Sequence, residues 1–113
     1  MNPNYSAHMT TNDDIAAVAA AQPALGNYGF DMELPLTADA GFLAQVNAAR
    51  RFILDAPSAG VEMVSRGAYY LKHQAERHAQ TYVSVGALIV GAMLEGLKPI
   101  RDTYGPNCRF TKA

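Results

Sequence analysis

Cysteine is nearly absent: Cys108 is the single thiol in 113 residues. One thiol excludes an internal disulfide framework and fits a reducing, cytoplasmic setting. The marks of export and of membrane insertion are missing too. Residues 1–12 are polar, with neither a basic start nor an apolar stretch, so no signal peptide is read there. The most apolar run, Val85 to Leu94, falls well short of the roughly 20 residues a bilayer requires. Charge is also sparse, at 17% against 50% hydrophobic residues. That balance excludes disorder throughout the chain and supplies the material for one core.

What is present centres on residues 83–97, VSVGALIVGAMLEGL, where only Ser84 and Glu95 are polar. A helix that is apolar all round is buried or crosses a membrane, and this one is too short to cross. It is therefore read as a buried core helix. Gly86, Gly91 and Gly96 each cost about 1 kcal/mol against alanine inside a helix. Such a cost is intelligible where other backbone packs closely against them. A chain this small covers so apolar a helix most easily with a second copy, so a homodimer is expected.

The rest of the chain takes its places around that segment. Residues 1–12 read as a mobile leader and 13–113 as one globular domain. Thr11 or Asn12 caps a short alanine-rich helix over 13–22, which Pro23 ends. Tyr28, Phe30, Met32 and Leu34 alternate with Gly29, Asp31 and Glu33, the period of a half-buried strand. A second helix spans 38–56, capped by Thr37 or Asp39. Phe42, Leu43, Val46, Ala49, Ile53 and Leu54 face the core, and Gln45, Asn47, Arg50 and Arg51 face solvent. A third helix starts at Ser58 or Gly60 and extends to Ala79, with Val61, Val64, Ala68, Tyr69, Leu71 and Ala75 inward and Lys72 on the wet side. After the core helix, Lys98–Pro99 stops helical backbone, and the turn Gly105–Pro106–Asn107 predicts a β-hairpin over 98–112. Its apolar side is assigned Ile100, Asp102, Tyr104, Cys108 and Phe110, and its outer side Arg101, Arg109 and Lys112. The fold class expected is α+β: about four helices, one strand in the N-terminal half and a C-terminal hairpin.

Chemistry-bearing motifs are few. His73 and His78 are five apart, about 140° around a helix axis, and do not make the i, i+4 pair of a helical metal site. Cys108 has no nucleophile signature around it, and Gly26–Asn27–Tyr28–Gly29 lacks the spacing and lysine of a phosphate loop. No enzyme, metal or cofactor is expected. Charge is more informative. Residues 1–65 set seven carboxylates against Arg50 and Arg51, leaving −5. Residues 66–113 set seven Lys and Arg against Glu76, Glu95 and Asp102, leaving +4, so the net is −1. Such asymmetry can mark an anion-binding face, the alternative being ordinary variation of a solvated surface.

The order helix, short break, compact helix, basic hairpin over residues 61–112 resembles a winged helix-turn-helix. That resemblance implies double-stranded DNA as partner. Thr81, Tyr82 and Ser84 at the helix start would lie nearest the bases, flanked by Arg77. Lys98, Arg101, Arg109 and Lys112 would contact phosphates through the wing. The leading expectation is a small non-enzymatic nucleic-acid-binding or regulatory protein. The alternative is a protein-binding adaptor or inhibitor that masks a partner's surface. It is favoured by an isoelectric point of 6.2, where strongly DNA-binding domains exceed about 9.

Overall fold

Four helices and two small antiparallel sheets form the α+β fold of the computed structural model, in which residues 9–32, 34–64, 66–102 and 105–112 are described. Helix α1 (Asn12–Ala21) starts at a capping box. The Thr11 hydroxyl accepts from the Asp14 amide, and the Asp14 carboxylate accepts from the Thr11 amide. Only Ile15 and Val18 are buried along it, as an alanine-rich helix with little side chain allows. Of the leader expected over residues 1–12, residues 1–8 lie outside the described residues, and its end belongs to the folded body. Thr10 is buried, and its amide donates to Asn47 Oδ1 at 2.9 Å.

The expected strand over 28–34 is instead a tight hairpin. Strand β1 (Leu25–Gly26) pairs with β2 (Gly29–Phe30), Leu25 opposite Phe30. Phe30 is fully buried, while Tyr28, Met32 and Leu34 are 47%, 48% and 56% exposed. The alternation misleads because the backbone turns at residues 27–28 and again at Asp31, whose φ is 59°. Residues two apart then no longer share a pleat face.

Helix α2 (Ala40–Asp55) is capped by Asp39, whose carboxylate accepts from the Phe42 amide at 2.9 Å. The hydroxyl of Thr37, then that amide, hold Asp39 below the ordinary carboxylate range. Its buried face carries Phe42, Val46, Ala49, Phe52 and Ile53. Two placements differ from expectation. Leu54 is exposed, and Arg50 is buried, its Nε donating to Glu95 Oε2 at 2.7 Å and its Nη1 to Thr10 Oγ1 at 3.1 Å. A charge with matched partners on another element can be buried where spacing alone puts it in solvent.

Helix α3 (Ala68–Ala79) is shorter than the predicted span from residue 58 or 60. Residues 56–60 turn instead, with Val61 N bonded back to Ala56 O at 2.9 Å and Gly60 at a φ of 74°. Ala68, Leu71 and Ala75 face inward. Tyr69 is exposed, and Lys72, expected on the wet side, is buried. Gln80 ends the helix in the left-handed region.

Helix α4 (Val85–Leu94) is the core helix. Residues 85–92 are all buried, whereas Met93 is only partly so. It touches α1, α2, α3, β2 and the first strand of the C-terminal sheet. Its glycines mark close approach, as their cost implied. A Cβ on Gly86 would overlap the carbonyls of Gly26 and Asn27, and one on Gly91 would sit 3.0 Å from Ala49 Cβ and 3.3 Å from Arg50 N. Gly96 differs: it has open space around it and a φ of 92°, so its role is to leave the helix. Because α4 is enclosed by its own chain, a second copy is not needed to cover it.

Strands β3 (Leu97–Arg101) and β4 (Cys108–Lys112) pair antiparallel, with Pro99 opposite Phe110 and Arg101 opposite Cys108. Pro99, Cys108 and Phe110 are buried. This inverts the faces expected for the first strand. Arg101 lies in phase with Cys108, and Ile100, 47% exposed, is on the outer face with Arg109. Tyr104, assigned to the apolar side, lies outside the described residues. Burial first, then the Asp102 charge, pushes the Cys108 thiol up to about 12 against the weaker pull of Arg101.

Two outcomes follow from this packing. Gly86→Ala should lower the denaturation midpoint more than Gly91→Ala, because Gly86 abuts backbone and Gly91 chiefly a methyl group. Overpacking of this kind costs about 1–3 kcal/mol or more, and an equal tolerance of both changes would contradict the contacts described. A thiol reagent at neutral pH should label Cys108 only as the chain unfolds; labelling at the rate of a free thiol would contradict its burial.

Candidate nucleic-acid interface

The eight residues predicted to meet nucleic acid fall into separate environments. Ser84 is consumed by the fold. It is 2% exposed, its hydroxyl accepts from Ala87 N at 3.0 Å and donates to Asn27 O at 2.6 Å, and its amide donates to Gln45 Oε1 at 2.9 Å. A side chain so occupied has no donor left for a base edge. The helix it caps is the core, so the groove-reading role implied by the winged-helix resemblance has no exposed helix to perform it. Thr81 and Tyr82 are exposed beside Ser84. Arg77 is exposed in the last turn of α3, about 12 Å along the helix axis from Tyr69. It is Tyr69 whose amide is bonded to Asn107 of the hairpin turn, at 2.9 Å.

The hairpin cations divide. Arg101 is engaged inward, its guanidinium 4.5 Å from the Phe30 ring centroid and paired with Asp31. That contact ties β3 to the N-terminal hairpin. Lys98 and Arg109 are exposed on the outer face, where Lys98 opposes Thr111 and Ile100 opposes Arg109. They are therefore diagonal neighbours, about 7–8 Å apart at the backbone. Lys112 opposes Leu97 at the open end, in phase with Phe110, and lines a shallow hollow with Val61 and Glu62. Among the described residues, no carboxylate pairs with Lys98, Arg109 or Lys112.

Other groups converge without any signal in sequence spacing. Arg66 stacks over Tyr70 at 5.0 Å, in the loop whose Gly67 lies against Asn107 and Cys108. Lys72 Nζ lies 5.8 Å from the Tyr69 ring and 4.9 Å from the Tyr82 ring, and its partner Glu76 is 3.5 Å away. Glu76 also accepts from Val83 N at 3.2 Å and contacts His73 Nδ1 at 3.0 Å. Burial pushes this carboxyl up, but the Val83 amide and the Lys72 and His73 contacts outweigh it and hold Glu76 below its ordinary value of 4.5.

A cleft of about 580 Å³ opens between α2 and the end of α3. Ala44, Ala48 and Ala79 line it with methyl groups, and Asn47, Arg51, Asp55, His78 and Thr81 supply its polar atoms. His78 Nε2 lies 2.9 Å from Asp55 Oδ2, and its ring packs on Phe52 at 5.9 Å. The 23-residue separation of this pair hides it from any motif. Among the described residues no group of three or more His, Cys, Asp or Glu could hold a metal, and no helix is long and apolar enough to cross a membrane. No protein-family model, curated protein or solved structure matches this chain.

Acid unfolding tests the Glu76 hub. Its folded value lies below the unfolded one, so its stabilisation is fully present above about 4.5 and is lost as pH falls through the folded value. Glu76→Gln should flatten that part of the stability–pH curve in denaturant titrations between mildly and strongly acid buffers. An unchanged slope would contradict the contacts to Val83 and Lys72.

Proposed function

We propose that this chain is a non-enzymatic nucleic-acid-binding protein that holds the phosphate backbone on the outer face of its C-terminal hairpin. The observation that carries the reading is the pair Lys98 and Arg109. They stand diagonally on an exposed face, beside Ile100, with no carboxylate partner among the described residues. Backbone contacts of this kind position a protein without reading sequence. Arg66, on the loop before α3, and Tyr70, in the first turn of α3, would extend the surface with a cation and an aromatic face. A regulatory role would then come from occupying nucleic acid rather than from selecting a site.

The adaptor reading keeps one specific support, the exposed cluster of Tyr28, Met32 and Leu34 around a hollow of about 390 Å³. Exposed apolar groups gathered in one place mark protein-interaction surfaces.

Anisotropy titrations with random duplex DNA separate the two readings. For the Lys98–Arg109 pair the log–log salt dependence should have a slope of about −1.8, each phosphate contact giving about −0.9. Arg109→Ala should flatten the slope by about 0.9 and weaken all sequences alike. Absence of binding at about 50 mM salt, where phosphate contacts are strong, would overturn the proposal and leave the adaptor reading.

A further inference from the structure

The outer side of α3 gathers aromatic rings among cations. Tyr69, His73 and Arg77 are four residues apart and form one stripe along the helix, and all three are exposed. Tyr70 stands beside the stripe in the first turn, and Tyr82 lies just past the helix end. Tyr69, Tyr70 and Tyr82 are 54%, 46% and 53% exposed. Each ring is held from one side. The Lys72 ammonium lies 5.8 Å from the Tyr69 ring centroid and 4.9 Å from that of Tyr82. His73 meets Tyr69 edge-on at 5.0 Å, and the Arg66 guanidinium lies 5.0 Å from the Tyr70 centroid. Lys72 is paired with Glu76, so it fixes the rings and brings no free charge to a ligand. Arg77 has no carboxylate partner among the described residues. The stripe begins at the hairpin, where the Tyr69 amide donates to Asn107 Oδ1 at 2.9 Å and Gly67 lies against Asn107 and Cys108.

We infer that this face binds an unpaired nucleic-acid strand, whose bases stack on Tyr69, Tyr70 and Tyr82 while its phosphates meet Arg77 at one end and the hairpin at the other. The inference deepens the hairpin reading and rests on it, specifying that the strand held there is single. In a duplex the base faces are stacked on one another, and rings standing on the outside of a helix have none to meet. An unpaired strand presents base faces and phosphates together, which matches rings interleaved with cations. Rings already fixed by Lys72, His73 and Arg66 lose little freedom on stacking, so the ordering cost is small. Such stacking tolerates any sequence, because every base has a π face. An acidic peptide would use the cations and leave the rings without planar partners.

The test is a set of anisotropy titrations on the full chain at about 50 mM salt. The probes are an oligothymidylate of about 12 nucleotides, a random duplex and an abasic strand of that length, and an oligoglutamate of matched charge. Oligothymidylate should bind about tenfold tighter than the duplex or the abasic strand, the worth of one stacked base. In NMR spectra the tyrosine ring protons should shift upfield with oligothymidylate and not with the abasic strand. Tyr69→Leu and Tyr82→Leu should each weaken oligothymidylate about tenfold and leave the abasic strand unaffected, whereas Tyr69→Phe should keep the binding. Arg109→Ala should weaken both strands alike. Both tyrosines are exposed, and an unchanged melting curve verifies that the fold is kept. Failure of every nucleic-acid probe to bind would overturn this inference together with the hairpin reading. A duplex or abasic strand bound as tightly as oligothymidylate, or an affinity that survives the leucine variants, would overturn this inference alone. Oligoglutamate bound as tightly would overturn it in favour of an acidic protein partner.

Discussion

A helix that is apolar on every side has to be covered on every side, and that requirement organises this molecule. The eight residues 85–92 of α4 are buried, and five other elements are drawn in to bury them. Each end of the helix carries a polar fastening. At its start, the Ser84 hydroxyl holds the Asn27 carbonyl and the Ser84 amide is held by Gln45, which joins the N-terminal hairpin to α2. Beyond its end, Glu95 meets Arg50, and Arg50 reaches Thr10. Removing one member of a buried pair costs about 3–5 kcal/mol because the other charge is stranded. The two contact glycines lie between these fastenings, where side chains would hold the layers apart.

Enclosure of α4 decides which surfaces remain for partners. A helix used up as core cannot enter a groove, so contact with a ligand falls to what surrounds it. The cations sort accordingly. Arg50 and Lys72 are partnered at or below the surface, and Arg101 clamps Phe30 and Asp31. Lys98 and Arg109 are left outward on the hairpin. Coulombic attraction between charges already paired is unavailable to a third party, so the basic C-terminal half offers less positive surface than its composition suggests. The same sorting applies to the exposed tyrosines: Tyr69 of α3 and Tyr82 just beyond its end already flank the Lys72 ammonium.

The cleft and the hairpin face illustrate two ways of making a polar surface. On the hairpin, neighbours come from pairing register, and a shift by one residue would bury Lys98 and Arg109 and expose Pro99 and Phe110. In the cleft, neighbours come from two helices crossing above small side chains. Ala44, Ala48 and Ala79 leave the space, while Asn47, Arg51 and Asp55 fall on one side of α2 because they are four residues apart.

Sequence alone determined what depends on local backbone and on solvent. Pro23, the Thr11 and Asp39 caps, the all-apolar run and the Gly105–Pro106–Asn107 turn are local effects, and the helices and hairpin they predict are found. The close approach at Gly86 and Gly91 was legible as well, because a helical glycine in a core needs a reason. Tertiary structure decided the rest. Alternation from Tyr28 to Leu34 assumes a straight pleat, which the positive φ of Asp31 ends. Helical spacing places Arg50 in solvent, yet Glu95, 45 residues on, supplies the charge that lets it be buried. The face of β3 depends on its register with β4, and the pairing of His78 with Asp55 on the crossing of two helices. No local signal carries such long-range partners, because each is chosen by where the chain returns after covering α4.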